Sequence, residues 1–493
     1  MTARPGRGKQ AGGDRADSDK AGGDFAARVL ASARAASCRA AEVFIKSSAS
    51  RQVAWEPPLR AGGPAQIAAS RAVEAGAGLL IVDSEGRSGL AWRGGGPTLL
   101  EAPDDATIAG FIADALAAAR AGGAARGPVA AVDAAGAIDA AAATGATGAD
   151  TDPGADPDPD ASGSLDLVDP ECLGRPEAAL VALVEAAALE VAAAAEGALE
   201  VDRILVTEAR TTVRLARLDG FDGAYERTIA ALAIALVPAL AGAAAVTEER
   251  SACRLDDLDP RQVARDAILR GLPPRAAPAS PPPAEQKPHV VLAPRAAATL
   301  LAALAPWVTA GAVSVNRPSA LSIVDDGLAH GRPGSAPFDG SGRPARRLLL
   351  LDHGRAVGRL TPDSGPFQRP SYRDLAAMAP AGLAILPGQQ REDRAGMPGA
   401  GAAGAFAPSG PTVRAAVIEV RTGSTWVVQI RRGEWESGAA ADGLYWEGTP
   451  AALVRAVAAT LDDLAFYQVG LPVAAPTVVL EGMGPWRRPG DDR

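Results

Sequence analysis

Histidine and cysteine are both scarce in this chain of 493 residues, which contains three of each. A zinc site needs about three protein ligands at one point, and two histidines one helical turn apart supply two of them most simply. His289, His330 and His353 are too far apart in sequence for any two to share a helical turn, and no cysteine follows residue 253. The sequence therefore predicts that this chain holds no metal ion.

The three cysteines, Cys38, Cys172 and Cys253, are odd in number and widely separated. This pattern argues against a disulfide framework and favours a reducing compartment. Arginine follows two of these thiols, at Arg39 and Arg254, and a neighbouring cation could lower a thiol pKa. The alternative for each is an inert buried cysteine.

Basic residues are also fewer than acidic ones, which gives a net charge of −9 and a sequence pI of about 5.1. An acidic chain lacks the broad positive footprint of a nucleic-acid-binding protein. The basic N-terminus has no apolar segment behind it, so no secretory signal is predicted. The longest apolar run, 229–246, is interrupted by Pro238 and Gly242 and alternates like a buried strand. We expect a cytoplasmic protein without direct nucleic-acid or membrane binding.

Aromatic residues make up only 4% of the chain, and much of its 47% hydrophobic content is alanine. The core must therefore come from leucine, valine and isoleucine segments, and the length predicts two domains. Composition predicts these segments: a disordered leader 1–24, an N-terminal α+β domain 25–272, a disordered insertion 121–163 within it, a proline-rich linker 273–288, a C-terminal β-rich domain 289–483 with a low-complexity stretch 391–411, and a tail 484–493.

The N-terminal domain is predicted to combine helices with an antiparallel sheet. Apolar residues recur at helical spacing behind Asp104-Asp105 and again after Pro176. Residues 78–82 and 88–92 flank a polar turn and predict a β-hairpin. The other predicted elements are helices at 25–41 and 259–272 and strands at 42–46, 51–56, 203–207 and 211–218.

The second half is predicted to be mostly β with peripheral helices. Predicted helices cover 294–305 and 450–465, and a terminal strand covers 472–479. Three tryptophans close in sequence could form either an aromatic substrate shelf or part of the core; they are Trp426, Trp435 and Trp446.

A block at 321–360 predicts a strand, a long loop and then a hairpin that turns at His353-Gly354. Its motifs are Val324-Asp325-Asp326, Pro333-Gly334-Ser335, Pro337-Phe338-Asp339, Gly342 and Pro344 through Arg347. In this order they resemble the TldD/PmbA family. Two further matches support the resemblance, namely Tyr225 with Arg227 and Thr228, and the segment 368–373 around Tyr372.

The resemblance implies an α+β fold of two domains, with a C-terminal β-rich domain of the TldD/PmbA type. Catalytic TldD-like members carry an H-E-x-x-x-H motif, which this sequence lacks, so the chain is similar to the PmbA (TldE) members. The resemblance implies that such a chain would not be catalytic by itself. It would pair with a TldD-like subunit that holds zinc, and the hetero-oligomer would process peptides, bound in extended form by strand addition.

The resemblance also implies substrate-binding residues in the second half. They are Asp325, Asp326, Phe338, Asp339, Arg346, Arg347 and Tyr372. His330 lies near three of these aspartates, and the alternatives there are a cation site and a solvated acidic turn.

Two other functional hypotheses remain open. One is a stand-alone binding or regulatory protein without peptidase activity, of the gyrase-modulator or toxin–antitoxin type linked to the family. The other is a metal-independent hydrolase that uses Cys253 or a loop aspartate.

Overall fold

The computed structural model describes nine segments of the chain, which are 13–57, 65–95, 103–122, 165–195, 197–239, 245–272, 287–363, 365–389 and 411–487. Most of the predicted insertion and linker, and most of the low-complexity stretch, lie outside these residues. The predicted α+β fold class is confirmed.

The first half is built on one antiparallel six-stranded sheet, the N-terminal sheet, in the order β3-β2-β1-β4-β5-β6. Its strands are β1 (Ala40–Glu56), β2 (Gln66–Val82), β3 (Ser88–Gly94), β4 (Leu199–Arg217), β5 (Asp222–Pro238) and β6 (Val246–Ala252). The predicted strands 42–46 and 51–56 both belong to β1, and the predicted strands 203–207 and 211–218 both belong to β4. The apolar run from residue 229 contributes to β5, which confirms the predicted buried strand.

Four helices accompany this sheet: α1 (Gly13–Ala35), α2 (Asp105–Gly122), α3 (Glu177–Ala194) and α4 (Pro260–Gly271). Successive strand side chains point to opposite faces, and the helices pack on only one face. Phe25 and Phe111 from α1 and α2 join Leu79 of β2, while Leu180 of α3 joins Leu232 of β5. The opposite face is left free for the second half.

Helix α1 begins earlier than the sequence predicted. Residues 13–24, assigned to a disordered leader, form its first turns, while residues 1–12 lie outside the described part. Alanine, arginine and lysine in this stretch favour a helix. Buried Phe25 and Val29 then anchor the helix to the sheet, and this packing stabilises it.

The second half contains two further six-stranded sheets. The first C-terminal sheet has the order β10-β9-β8-β13-β19-β18, and the second has the order β16-β15-β14-β7-β20-β17. Their strands are β7 (His289–Leu292), β8 (Ile323–Asp326), β9 (Arg347–Asp352), β10 (Arg355–Ala356), β13 (Leu383–Ile385), β14 (Thr412–Arg421), β15 (Trp426–Trp435), β16 (Tyr445–Gly448), β17 (Val457–Thr460), β18 (Ala465–Gln468), β19 (Pro472–Ala475) and β20 (Val478–Leu480). A separate two-stranded ribbon joins β11 (Phe367–Gln368) and β12 (Ala377–Met378).

Helix α5 (Pro294–Thr309) contacts strands of both C-terminal sheets. Its leucines Leu300, Leu301 and Leu304 are buried in the shared core. The prediction of peripheral helices is therefore wrong for α5. The other buried positions of this helix are mostly alanines, whose small side chains let the helix lie close to neighbouring strands. The three tryptophans are buried in the same core, which confirms core packing over a substrate shelf.

Two C-terminal predictions need correction. Helix α6 (Pro450–Ala456) ends well before residue 465, because the next residues form β17 and pair with β20. The predicted strand 472–479 is two strands, β19 and β20, in different sheets. Pro476 lies between them, and because it has no backbone N–H it cannot donate a hydrogen bond to a neighbouring strand.

The two halves contact each other through buried ion pairs and aromatic packing. Glu248 of β6 is buried and binds Arg295 of α5 at 2.6 Å and Arg270 of α4 at 2.5 Å. On the free face of the N-terminal sheet, Phe44 and Leu215 pack with Phe338 from the second half. No helix in the described segments is long and apolar enough to cross a membrane.

Candidate functional site

The block at 321–360 folds as predicted, with strand β8, a long loop and the β9–β10 hairpin. Strand β8 lies between β9 and β13 in the first C-terminal sheet. The hairpin turns at His353 (φ 44°) and Gly354 (φ 82°). Positive φ at both central residues is typical of a type I′ turn, which matches the right-handed strand twist. His353 is therefore a turn residue.

The two aspartates that end β8 have different environments. The Asp325 side chain is buried, and its Oδ1 accepts a hydrogen bond of 2.9 Å from the Gly382 N–H. Burial raises the pKa of Asp325 to about 6, although that N–H opposes the shift. Asp326 accepts a hydrogen bond from the Leu328 N–H and lies 3.6 Å from Arg347 Nε. Adjacent residues on a strand point to opposite faces, so the pair does not act as one acidic group.

Asp339 closes a turn in the long loop. Its Oδ1 accepts the N–H groups of Ser341 at 2.8 Å and Arg343 at 3.1 Å, and its Oδ2 accepts the Phe367 N–H at 3.0 Å. Of the two alternatives at this loop, the solvated acidic turn does not hold for buried Asp325, and backbone N–H groups engage both oxygens of Asp339. Within the described segments, no group of three or more histidine, cysteine, aspartate or glutamate side chains could hold a metal ion.

An apolar cavity of about 170 Å³ lies on the face of the first C-terminal sheet that carries Asp326. Its apolar lining comes from Val324, Ala384, Leu386, Leu464, Phe466 and Ala474. Its polar lining includes Asp326, Arg332 and Arg347. The Arg332 guanidinium lies 5.3 Å from the Phe466 ring centre, and burial lowers the pKa of Arg332. This apolar cavity offers space for a side chain with charged groups beside it.

A second, polar cavity of about 50 Å³ lies between the halves and shares Gly334 with the apolar cavity. Its lining comes from both halves and includes Phe44, Tyr225, Arg227, Phe338, Asp339, Arg346, Gln368 and Arg369. Arg369 forms an ion pair with Glu42 and lies 4.8 Å from the Phe44 ring centre. Burial lowers the pKa of Arg346, and the charge of Arg343 lowers it further. Three arginines and one aspartate thus line the polar cavity.

Phe338 and Tyr372 join the two halves. The Phe338 ring packs edge-on against Tyr225 at 5.1 Å and Phe221 at 5.4 Å. Tyr372 is 3% exposed and lies against Gly76 and other glycines of β2 and β3. The seven residues predicted to bind substrate are thus not brought to one place, and their role in binding stays a prediction.

Sequence reasoning did not select several cavity residues. Arg332 and Phe466 of the apolar cavity, and Arg369 of the polar cavity, are far apart in sequence and carry no local pattern that would unite them. Arg227 also lines the polar cavity, and its place in the Tyr225-Arg227-Thr228 match could have identified it. Thr228, by contrast, donates to the Cys253 carbonyl at 2.7 Å inside the first half.

The three cysteines are free and buried, which confirms that no disulfide framework joins them. Burial raises the pKa of all three thiols, to about 12 for Cys172 and about 11 for Cys253. At Cys253 burial outweighs the lowering effect of Arg254 and Arg227, and at Cys38 burial and the charge of Asp83 both raise the pKa, so the alternative of inert buried cysteines is favoured. Arg254 itself is paired with Asp166. A thiolate nucleophile is correspondingly disfavoured.

Residues 285–362, which contain β7, α5 and the β8–β10 block, match the PmbA/TldA metallopeptidase C-terminal domain. This part of the chain therefore carries a domain similar to the C-terminal domain of the TldD/PmbA family. The family resemblance predicted from the sequence is confirmed.

Three solved structures share the fold. TldE from Thermococcus kodakarensis is 14% identical with a TM-score of 0.61, and the match covers 93% of this chain and 99% of that one. A candidate modulator of a DNA gyrase from Thermotoga maritima is 15% identical with a TM-score of 0.60, covering 93% and 98%. A similar protein from Bacteroides thetaiotaomicron is 16% identical with a TM-score of 0.61, covering 94% and 98%. No curated protein sequence matches the chain.

Proposed function

We propose that this chain is the metal-free, PmbA/TldE-like subunit of a TldD-type zinc metallopeptidase complex that acts on extended or unfolded peptides. One observation carries the proposal: a chain with the metallopeptidase C-terminal domain lacks the H-E-x-x-x-H motif, and its described residues contain no cluster of side chains suited to a metal ion. The metal and the general base would then belong to a TldD-like partner.

The positions of the histidines support this proposal. His289 Nδ1 lies 2.9 Å from Glu481 Oε1 in the second C-terminal sheet, and His353 Nδ1 lies 3.3 Å from the Ser319 carbonyl at the hairpin turn. Each ring is engaged by a different part of the structure. Zinc needs several such ligands converging on one point, so the residues described do not fit a zinc ion.

The apolar cavity supports a role in peptide binding. A pocket with a mainly apolar lining and a few polar groups is the usual form of a ligand site, and this one could take a side chain of an extended peptide. Asp326, Arg332 and Arg347 would offer charged and hydrogen-bonding partners to the adjacent main chain. Main-chain recognition of this kind tolerates varied sequences, as peptide processing requires.

Co-expression with a related chain that carries H-E-x-x-x-H tests the proposal. We expect a stable complex that cleaves unfolded peptides, whereas this chain alone has no peptidase activity. Ala384→Phe, which fills the apolar cavity, should raise KM without dissociating the complex, and Val357→Phe at an exposed position outside the cavity is the control.

Two results would contradict the proposal. The isolated chain could hydrolyse peptides in the presence of a chelator, which would make it an independent enzyme. Alternatively, pull-down could recover gyrase or a toxin-system protein and no peptidase subunit, which would favour a regulatory role.

A further inference from the structure

The polar cavity contains more positive than negative charge. Arg227, Arg346 and Arg369 line it, and Asp339 is the only carboxylate among its lining residues. Both Asp339 oxygens already accept backbone N–H groups. Arg369 is the only one of the three arginines with a carboxylate partner, Glu42. Arg227 and Arg346 form no ion pair with a carboxylate in the described segments, although the charges of Asp339 and Asp325 act on Arg346 from a longer distance.

Arg346 and Arg227 both have guanidinium N–H groups without a hydrogen-bond partner among the described residues. The Arg346 guanidinium has no hydrogen-bond or ion-pair partner anywhere in the described segments. Arg227 Nη1 donates to the Pro333 carbonyl at 3.2 Å, but its Nε is buried without a hydrogen-bond partner. Leaving the buried Arg227 Nε unpaired is costly, so a ligand that accepts from it would gain more than its own contacts suggest. Arg346 is exposed and is available to the same ligand.

Nearby charge increases this imbalance. Lys46 donates to the Pro370 carbonyl at 2.6 Å beside the same face of the N-terminal sheet. Burial lowers the pKa of Lys46, and the charge of Arg227 lowers it further. Lys46 and Arg227, both on the N-terminal sheet, thus repel each other, and the charges of Glu74 and Asp374 partly offset this repulsion at Lys46. An anion bound among these cations would offset this repulsion.

We propose that the polar cavity is a carboxylate-binding site. Arginine forks match carboxylate geometry and can donate two hydrogen bonds to it. The cavity volume of about 50 Å³ suits such a small group, because one water needs at least about 10–15 Å³. This inference rests on the proposed function and narrows its substrate class. The substrate would be a peptide that places either its C-terminal carboxylate or an acidic side chain between the halves.

Acetate is the simplest probe of this site. Thermal unfolding of the full chain is measured with increasing sodium acetate, against sodium chloride at equal ionic strength. Because a ligand of the native state raises Tm, acetate should raise it in the unmodified protein but not in Arg346→Gln. Arg347→Gln is the matched control, since it removes the same charge at the next residue, which lines the apolar cavity. Loss of the acetate effect in Arg347→Gln alone, or no acetate effect at all, would overturn the proposal.

Peptides identify the source of the carboxylate. N-acetyl-pentaalanine is compared by calorimetry as its free acid, as its C-terminal amide, and as the amide with aspartate replacing one alanine. We expect one of the two acidic peptides to bind about tenfold more tightly than the neutral amide, and this ratio to approach one in Arg346→Gln. Equal binding of all three, or no peptide binding, would overturn the peptide assignment.

The outcome is independent of the zinc-bearing partner. An acetate effect in a chain that forms no peptidase complex would contradict only the proposed function. An active complex whose chain shows no acetate effect would contradict only the carboxylate site.

Discussion

Substitution of Gly76 by alanine should destabilise the contact between the two halves of the protein. A Cβ added at Gly76 would lie 2.3 Å from Tyr372 Cζ, far inside contact distance. The same ring approaches Gly94, and the Tyr372 carbonyl oxygen would lie 2.2 Å from a Cβ at Gly78. These glycines belong to the face of the N-terminal sheet that lacks helices, so the tyrosine occupies the space that three side chains would fill.

The expected loss of stability follows from how tightly the Tyr372 ring is packed. Overpacking of this kind costs about 1–3 kcal/mol, and we expect Gly76→Ala to fall in that range. Tyr372→Ala should cost about 3–5 kcal/mol, because it empties a site in which the ring is 3% exposed. In the Tyr372→Ala background the new methyl group meets no ring. The penalty of Gly76→Ala should then disappear, giving a coupling energy of about 1–3 kcal/mol.

Urea unfolding followed by tryptophan fluorescence measures this cycle. Trp92 is a suitable reporter, since the Arg373 guanidinium lies 4.9 Å from its ring. Gly95→Ala is the control, because a Cβ there has no neighbour within 4 Å, and it should leave the unfolding midpoint nearly unchanged. An undiminished Gly76→Ala penalty in the Tyr372→Ala background would refute the reasoning.

Two further stability predictions follow from buried carboxylates. Burial raises the pKa of Asp325 to about 6, above the ordinary value of about 3.9, so the folded state binds more protons between these values. Stability should therefore fall by about 2–3 kcal/mol as pH rises from about 4 to 6.5, and this loss should vanish in Asp325→Asn; an identical pH dependence would contradict it. Glu248→Gln should cost about 3 kcal/mol in urea unfolding, because it leaves Arg270 and Arg295 without their buried partner. Exposed Glu249→Gln should cost little, and equal effects would argue against the network.

Local pattern was enough to predict most of the elements. The helix after Pro176, the hairpin across 83–87 and the turn at His353-Gly354 each depend on neighbouring residues, and each is present. Where long-range pairing decides the outcome, the sequence prediction failed. Residues 457–460 continue an apolar, helix-compatible pattern but form β17, because β20 supplies a strand partner.

The candidate site could be predicted only in part. The family motifs identified the loop that carries Asp339 and Arg346, but not the strands that complete either cavity. Arg227 reaches the polar cavity because alternation along β5 turns it toward the second half. Asp325 and Asp326 are adjacent in sequence yet face different surroundings for the same reason. Contacts between the halves depend on sheet faces, which no single motif encodes.

Zinc analysis of the purified chain tests the central claim most directly. After dialysis, inductively coupled plasma mass spectrometry gives the zinc content of this chain alone and of its complex with a TldD-like subunit. We predict far less than one equivalent in the isolated chain and about one equivalent per TldD-like subunit in the complex. One equivalent of zinc retained by the isolated chain would contradict the account.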